Sequence, residues 1–293
     1  GAVTAVQGLP GALRAELLKT AKRASPWVLL GVALVILVVL SYALTWLIYT
    51  HPPPGTQLPR GTTAAQLKQG LYPAGFVQST LSNGLPGVLA LILGVLLVGS
   101  EFSWGTLKTL FTQRPGRLET LAAKILALAI AVAVGVLAMF AMAAICSVVI
   151  AAADGHTLGD WPSAATIVKG LLTAWLIWGW WALFGAALSV IFRQAALAIG
   201  LGLAYSLVIE GLVFGIVGSL GGSFFENFRK FFPGPNASAL QQTFSITGVG
   251  RAAGGQAAQA GTIGVPEAAL VLGAYCAAAI IVCGLLLRSR DVT

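Results

Sequence analysis

Six apolar runs dominate the sequence, and nearly all of them are long enough to cross a lipid bilayer. A helix needs roughly 20 apolar residues for that crossing, at about 1.5 Å per residue. Hydrophobic residues make up 57% of the 293 and charged residues only 9%, whereas a soluble domain carries about 25% charged residues. The chain therefore lacks the charge to cover a water-facing surface. We predict an all-α polytopic membrane protein whose side chains mostly face lipid or each other.

The six predicted spans form a single transmembrane domain over residues 1–293. The second span is short and contains Pro86, so its outer end is expected to be irregular or to begin nearer Phe76. The predicted limits of the six spans are 26–49, 84–98, 121–152, 164–192, 195–217 and 267–287.

The basic residues indicate how the spans are oriented. Lys and Arg accumulate in the cytoplasmic loops of membrane proteins. If the N-terminus is cytoplasmic, eleven of the 17 basic residues lie on the inner side: Arg14, Lys19, Lys22, Arg23, Lys108, Arg114, Arg117, Lys124, Arg193, Arg288 and Arg290. Six lie on the outer side: Arg60, Lys68, Lys169, Arg229, Lys230 and Arg251. We predict a multi-pass protein of the cell membrane with both termini in the cytoplasm. Because these residues flank the spans and form no single stripe, nucleic-acid binding is not expected.

Two segments outside the spans have helical periodicity. Residues 10–25 place Leu13, Leu17 and Ala21 on one face among basic residues, which favours a helix lying in the lipid headgroup layer over a basic tail. In the outer loop, residues 220–266, the run FFENFRKFF places its aromatic residues on one face: Phe224, Phe225, Phe228, Phe231 and Phe232. This run predicts a short helix in the outer leaflet before the last span.

The segment between the second and third spans is unusually apolar for a cytoplasmic loop. Ser100 can cap a helix there, and Glu101 complements the positive end of a helix dipole. Aromatic groups such as Phe102 and Trp104 are common anchors in protein interfaces. Pro115-Gly116 then ends the segment. A helix over residues 100–114 that binds a protein partner is therefore predicted.

This segment resembles the permease subunits of type-2 ATP-binding-cassette (ABC) transporters. The shared pattern is a Glu, an aromatic residue, two variable residues, Gly-Thr-hydrophobic-Lys, then an Arg and a Lys entering the next span. The matching residues are Glu101, Phe102, Gly105, Thr106, Leu107, Lys108, Arg117 and Lys124. The six-span layout, the N-terminal helix, the long loop before the last span and the basic C-terminal end extend the resemblance over the whole chain.

The resemblance implies a coupling helix that docks on an ABC ATPase, with Trp104 among its anchors. No lysine in this sequence follows a glycine, so a Walker A loop is absent, and the ATPase is expected on a separate polypeptide. ATP and Mg²⁺ would be bound by that partner, and this chain is expected to hold no cofactor and to be no enzyme by itself. Two ATPase copies, a homodimer of permeases, contact with membrane lipid and transport by export are further implications. An ordinary connecting loop is the alternative.

Glu210 is the acidic residue placed well inside a predicted span. A carboxylate at that depth needs a partner, a water-filled cavity or a proton. It either contacts substrate or gates the outer exit, or it makes a structural hydrogen bond to a neighbouring helix. Both interpretations stay open at this stage.

Two residue groups in the fourth and fifth spans suggest further roles. Trp175, Trp178 and Trp181 recur every third residue, so they either line a path for an apolar or cationic substrate or pack against helices and lipid. A second group has the small-residue spacing of close helix crossings and is a candidate dimer face. Its members are Gly211, Gly215 and Gly218.

Metal binding and catalysis receive no support from the sequence. The three cysteines lie inside apolar runs without a CxxC pair, and the two histidines are isolated, so no metal site is predicted. Three other functions remain as alternatives to the transporter: an ion-coupled secondary carrier using Glu210, a non-transporting assembly or immunity factor, and an intramembrane enzyme. Copurification of an ATPase distinguishes the transporter from the carrier.

Overall fold

The computed structural model describes residues 2–51, 68–103, 117–213, 230–245 and 263–289. Within these ranges all regular structure is helical, which confirms the predicted all-α class. In chain order the helices are α1 (Ala2–Lys22), α2 (Ala24–Thr50, π-helical over Leu37–Ala43), α3 (Pro73–Leu81), α4 (Leu85–Ser103), α5 (Arg117–Ala153), α6 (Ala164–Phe192), α7 (residues 195–213, α-helical over Ala195–Ala204 and π-helical over Tyr205–Val213), α8 (Pro233–Gln242) and α9 (Val265–Ser289).

Four of these helices are long and apolar enough to cross a membrane, namely α2, α5, α6 and α9. Helices α3 and α4 meet at a bend of 51° and together make a fifth candidate. The irregularity expected near Pro86 therefore lies just before α4. In α7 the apolar helix Ala195–Glu210 is shorter than a full span, and residues 214–217 of the predicted fifth span lie outside the described residues.

The surface of the helices carries large apolar side chains that a water-soluble protein would bury. Monomeric soluble proteins rarely expose contiguous apolar surface on this scale. Examples come from five different helices: Val28 at 61% exposed, Leu137 at 58%, Leu172 at 60%, Leu207 at 67% and Leu270 at 74%. Such a surface fits hydrocarbon as the surrounding medium.

Helix α6 is the central element of the fold. Over its most apolar stretch of 18 residues, 56% of the residues are buried. The corresponding stretches of the other three long helices are 11–33% buried. Its limits match the predicted fourth span. The Ser163 hydroxyl caps its start by accepting a hydrogen bond from the Thr166 backbone N–H at 3.2 Å, and Arg193 ends it in the left-handed conformation at φ 53°.

Helices α4 and α6 pack side by side in the same direction, because Gly87 near the start of α4 lies against Trp181 and Gly99 near its end lies against Ser189, later in α6. A Cβ added at Gly94 would collide with the Ala182 backbone carbonyl, and one added at Gly185 would collide with the Leu91 carbonyl. The two backbones therefore approach without an intervening side chain, as in small-residue crossings of membrane helices. The sequence analysis did not single out this pair.

The first and third spans also run in the same direction. The hydroxyls of Tyr42 in α2 and Ser147 in α5 are hydrogen-bonded at 3.0 Å, and Trp46 donates to Asp154 at 3.2 Å further along both helices. A chain that crosses a membrane alternately produces this parallel pairing of odd-numbered spans.

Helices α5 and α6, which are consecutive, run in opposite directions. The Trp175 indole N–H donates to the Ala129 carbonyl at 3.0 Å, and Gly170, earlier in α6, lies against Phe140, later in α5. The start of α2, the end of α4, the start of α5 and the end of α6 consequently share one side of the molecule. We call this the basic side, because Arg14, Lys19, Lys22, Arg23, Lys124 and Arg193 lie on it.

Two details differ from the sequence-based predictions. Helix α4 continues through Ser100 to Ser103, so Ser100 lies within an existing helix and does not start a new one. In the outer loop, residues 230–232 form a turn and the helix follows them, at Pro233–Gln242. Residues 224–229 of the aromatic run lie outside the described residues.

We expect Gly185→Ala to destabilise the protein, because its new methyl group would meet the α4 backbone. Overpacking of this kind costs about 1–3 kcal/mol, which corresponds to a decrease in apparent Tm of roughly 5 °C. Gly179→Ala in the same helix is the matched control, since a Cβ there meets nothing within 4 Å. Thermal unfolding in mild detergent measures both. Equal Tm values for the two variants would contradict the proposed close crossing.

Candidate functional site

A buried ion pair joins the N-terminal helix to the third span on the basic side. The Lys124 ammonium in α5 lies 3.2 Å from the Glu16 carboxylate in α1, and Lys19 contacts the same carboxylate at 2.9 Å. Glu16 is 8% exposed and Lys124 is 7% exposed. A pair this well buried holds its helices together, because separating the partners leaves a charge without compensation.

The face that α1 presents to α5 is polar. Glu16 and Thr20 are the buried residues of the helix, whereas Leu18 is 53% exposed. The Thr20 hydroxyl donates to the Glu16 carbonyl at 2.9 Å. Helix α1 thus packs against protein through a polar stripe. Sequence reasoning missed Glu16, although it is the only acidic residue before Glu101.

In the chain, this ion pair is close to residues 104–116, which contain most of the predicted coupling helix (residues 100–114). Helix α5 begins at Arg117, directly after that segment, and Lys124 follows two turns later. Helix α4 ends at Ser103, directly before it. Residues 104–116 therefore connect α4, which packs on α6, to α5, which is bound to α1.

A polar cluster links the helix ends on the opposite side. Asp154 accepts hydrogen bonds from Trp46 at 3.2 Å and from the Tyr72 hydroxyl at 3.1 Å, and Lys68 lies 3.7 Å away. Desolvation alone would raise the pKa of Asp154, but these hydrogen bonds and the Lys68 charge together hold that pKa below its usual value. A lowered pKa keeps Asp154 ionised at neutral pH. The Tyr72 ring also lies 4.2 Å from the His156 ring.

Glu210 lies in the π-helical part of α7 and is 6% exposed. One carboxylate oxygen accepts a hydrogen bond from the Gly234 backbone N–H at 3.0 Å, and the Tyr205 hydroxyl is a second partner. A Cβ on Gly234 would come within 2.8 Å of the other oxygen. The geometry shows the hydrogen bond to a neighbouring helix that was one of the two interpretations. A role in gating remains a proposal.

The first turn of α8 is built to present one backbone N–H to Glu210. Pro233 and Pro235 have no N–H, so Gly234 offers the donor between them, at the positive end of the helix dipole. The Asn236 side chain fixes this turn by donating to the carbonyls of Lys230 and Phe232, both at 2.7 Å. Asn236 also begins Asn236-Ala-Ser238, which fits the sequence pattern for N-glycosylation. Since Asn236 is 0% exposed, this pattern is not accessible for glycosylation.

Five aromatic rings from α6, α7 and α9 surround this region in an unbroken series. The Trp180 ring contacts Phe184 at 5.4 Å and Tyr275 at 5.0 Å, and the Phe184 ring contacts Tyr205 at 5.1 Å. Trp181 completes the series, at 6.2 Å from Phe184 and 6.3 Å from Tyr205. Among the described residues the buried Trp180 indole N–H has no acceptor. Sequence reasoning selected Trp181 from this group but not the other four.

The three tryptophans of the predicted stripe contact three different neighbourhoods. Trp175 is 42% exposed and bonds to α5, Trp178 is buried against an apolar cavity, and Trp181 is buried in the aromatic series. Residues three apart on an α-helix are offset by about 60°, so three of them cover an arc of about 120°. The structure brings only Trp181 near Glu210.

The remaining predicted site residues are described only in part. Glu101 and Phe102 lie in the last turn of α4, Arg117 begins α5, and Gly211 lies in the π-helical segment. The others fall outside the described ranges: Trp104, Gly105, Thr106, Leu107, Lys108, Gly215 and Gly218. Within the described ranges no three His, Cys, Asp or Glu side chains are placed to share a metal ion.

A double-mutant cycle tests the ion pair between α1 and α5. We expect Glu16→Gln and Lys124→Gln each to destabilise the protein, because each removes one charge of a buried ion pair. The double variant should be more stable than the sum of the single effects predicts, by about 1 kcal/mol or more. Detergent-based unfolding measures the cycle, with exposed Lys22→Gln as control. Additivity within about 0.5 kcal/mol would show that the two charges are not coupled.

Comparison with known proteins assigns the family. The sequence profile described as ABC-2 family transporter protein matches residues 12–209, more than half of the chain. That range includes the ion pair between α1 and α5, the coupling segment and the tryptophans of α6, and it ends one residue before Glu210. No curated protein matches the chain. The chain belongs to the ABC-2 family of transporter proteins.

Proposed function

We propose that this chain is the permease subunit of an ABC exporter whose ATP hydrolysis is performed by a separate ATPase subunit. Membership of the ABC-2 family supports the permease role. The single observation that carries the proposal is the position of the predicted coupling segment in the chain, between α4, which packs at backbone distance on α6, and α5, which Lys124 and Glu16 bind to α1. The predicted six-span layout, with α3–α4 and α7 as the second and fifth spans, is part of this proposal.

The basic side faces the cytoplasm in this account, with both chain termini on that side. Support comes from the parallel and antiparallel pairs of helices, which collect eleven of the 17 basic residues at one face if the remaining spans alternate. Lys and Arg are retained on the cytoplasmic side during insertion. The coupling segment is then accessible to a soluble ATPase.

Coupling operates through two rigid connections. An ATPase that moves residues 104–116 pushes on α4, and the close contacts of Gly94 and Gly185 carry that displacement into α6. The same movement reaches α5 and, through Lys124 and Glu16, the N-terminal helix. Packed helices transmit such displacements because the protein interior has few voids that could absorb them. Two permeases with two ATPases, in closed twofold symmetry, complete the assembly.

Glu210 serves as a gate element on the outer half of the path. Its hydrogen bond to Gly234 joins α7 to α8, and α8 lies on the side of the molecule opposite the coupling segment. Movement of α7 against α6 would then displace α8 through this hydrogen bond. The aromatic rings of Trp181 and Tyr205 flank this contact and offer an apolar or cationic substrate a surface.

Replacing Glu101 and Phe102 by Ala should uncouple the permease from its ATPase. The two residues lie in the last turn of α4, where the predicted coupling segment begins, so their replacement is expected to remove an interface anchor. With the ATPase coexpressed, we expect its copurification or its substrate-stimulated hydrolysis to fall by about tenfold, the effect of losing one interface hot spot. Leu126→Ala on the exposed face of α5 is the control. ATPase binding and stimulation equal to those of the parent chain would contradict the coupling role.

Glu210→Gln should slow ATP-driven transport in proteoliposomes by several-fold while assembly with the ATPase stays intact. The amide keeps an acceptor for Gly234, but its NH2 group replaces the other carboxyl oxygen and cannot accept a hydrogen bond. Glu267→Gln, at an exposed carboxylate in the first turn of α9, is the matched control. Unchanged transport kinetics would contradict the gate. Full transport by the parent chain without ATP or ATPase would instead identify an ion-coupled carrier.

A further inference from the structure

An apolar cavity of about 300 Å³ lies between α1, α2, α4 and α5. Trp178 of α6 also lines it. Its volume is about twice that of an engineered 150 Å³ cavity that binds benzene. The cavity is separate from the Glu210 region, and neither the coupling mechanism nor the proposed gate uses it.

The chemistry of the walls selects hydrocarbon. Leu, Ile, Val, Ala, Met and Pro side chains dominate the lining. Two of the three polar side chains in the lining are already engaged: the Thr20 hydroxyl donates to the Glu16 carbonyl at 2.9 Å, and the Trp27 indole N–H donates to the Ala21 carbonyl at 2.8 Å. A polar ligand would lose hydrogen bonds with water and gain few here.

The shape of the cavity suits a chain better than a ring. Its wall on α5 extends from Ile130 to Met139, which is about 14 Å of helix at 1.5 Å per residue. Gly135 lies within this wall, and a Cβ placed there meets nothing within 4 Å. The cavity therefore extends along α5 and is open beside Gly135.

Basic residues follow the part of α1 that lines the cavity. Ala21 and Pro26 both line it, and Lys22 and Arg23 lie between them in the chain. Lys19 and Lys22 form the basic last turn of α1, and Lys22 is exposed. Basic side chains at a membrane surface attract anionic lipid headgroups.

We propose that this cavity binds one acyl chain of an anionic phospholipid, with the headgroup at the basic turn of α1. The acyl chain of the lipid enters from the bilayer and supplies the van der Waals contacts that an empty apolar cavity lacks. It packs against α1, α2, α4 and α5 together, so the bound lipid holds the N-terminal helix to the helices on either side of the coupling segment. The site does not depend on the proposed function.

Photo-crosslinking of the full chain in lipid nanodiscs tests this site. Phosphatidylglycerol with a diazirine in its acyl chain is compared with phosphatidylcholine carrying the same chain, and labelled peptides are mapped by mass spectrometry. We expect phosphatidylglycerol to label residues 130–139 preferentially, to saturate at one lipid per chain and to be displaced by unlabelled phosphatidylglycerol. Labelling spread evenly over the lipid-facing helices would identify annular lipid only and overturn the proposal.

Two variants with one matched control distinguish the cavity from its surroundings. Gly135→Leu fills the cavity and should reduce labelling of residues 130–139 by about tenfold, the scale on which apolar pockets reject added bulk. Gly200→Leu makes the same change at an exposed helical glycine with nothing within 4 Å and should keep full labelling. Lys22→Glu should weaken labelling by phosphatidylglycerol but not by phosphatidylcholine.

Two results would contradict the proposal whatever the variants do. Equal labelling of wild-type residues 130–139 by both lipids would contradict the preference for an anionic headgroup. Undiminished labelling in folded Gly135→Leu would show that the lipid does not bind in the cavity. If Gly135→Leu does not fold, competition by unlabelled phosphatidylglycerol against unlabelled phosphatidylcholine on the wild-type chain decides the outcome. Failure of this test leaves coupling to the ATPase unaffected.

Discussion

The close approach of the α4 and α6 backbones is the constraint on which the rest of the structure depends. In lipid, helices gain little from hiding apolar surface, so they associate by packing and hydrogen bonding. Gly94 and Gly185 allow that packing at backbone distance, and α6 becomes the helix around which the others are arranged. Helix α5 then joins α6 through the Trp175 indole, and α2 joins α5 through Tyr42 and Asp154.

Polar interactions complete this arrangement at both ends of the apolar helices. Glu16 and Lys124 bind α1 to α5 on the basic side. On the opposite side, Asp154 accepts hydrogen bonds from Trp46 and Tyr72 and forms an ion pair with Lys68. Glu210 forms a third polar link, between α7 and α8. Each buried charge has a partner on another helix, as expected where water does not compensate unpaired groups. The coupling segment lies between helices that are already fixed by such links.

Much of the fold could be predicted from sequence, because the length and hydropathy of apolar runs depend on local composition. The limits of α6 illustrate this: Ser163 signals its start and the Arg193-Gln194 break ends it. The faces that meet could not be predicted in the same way. A helix that is apolar all round has no hydrophobic face to read, so the contact of Gly94 with α6 left no periodic signal.

The same limit explains which site residues were found. Glu210 stood out because a carboxylate in an apolar run is conspicuous by itself, although its partner, the Gly234 N–H, is a backbone group that carries no sequence signature. Lys124 was recognised through a family pattern, but Glu16, 108 positions earlier, was not singled out. Trp178 and Trp181 were placed on one face, whereas the helical offset directs one to the apolar cavity and the other to the aromatic series.

The central claim is that the segment between α4 and α5 faces the cytoplasm and engages an ATPase there. A cysteine substituted for Thr106, probed with a membrane-impermeant maleimide, tests it most directly, with the parent chain controlling for the three native cysteines. We predict labelling in inverted membrane vesicles, protection from labelling when the ATPase is coexpressed, and no labelling of intact cells. Labelling of Thr106→Cys from outside intact cells would contradict the account.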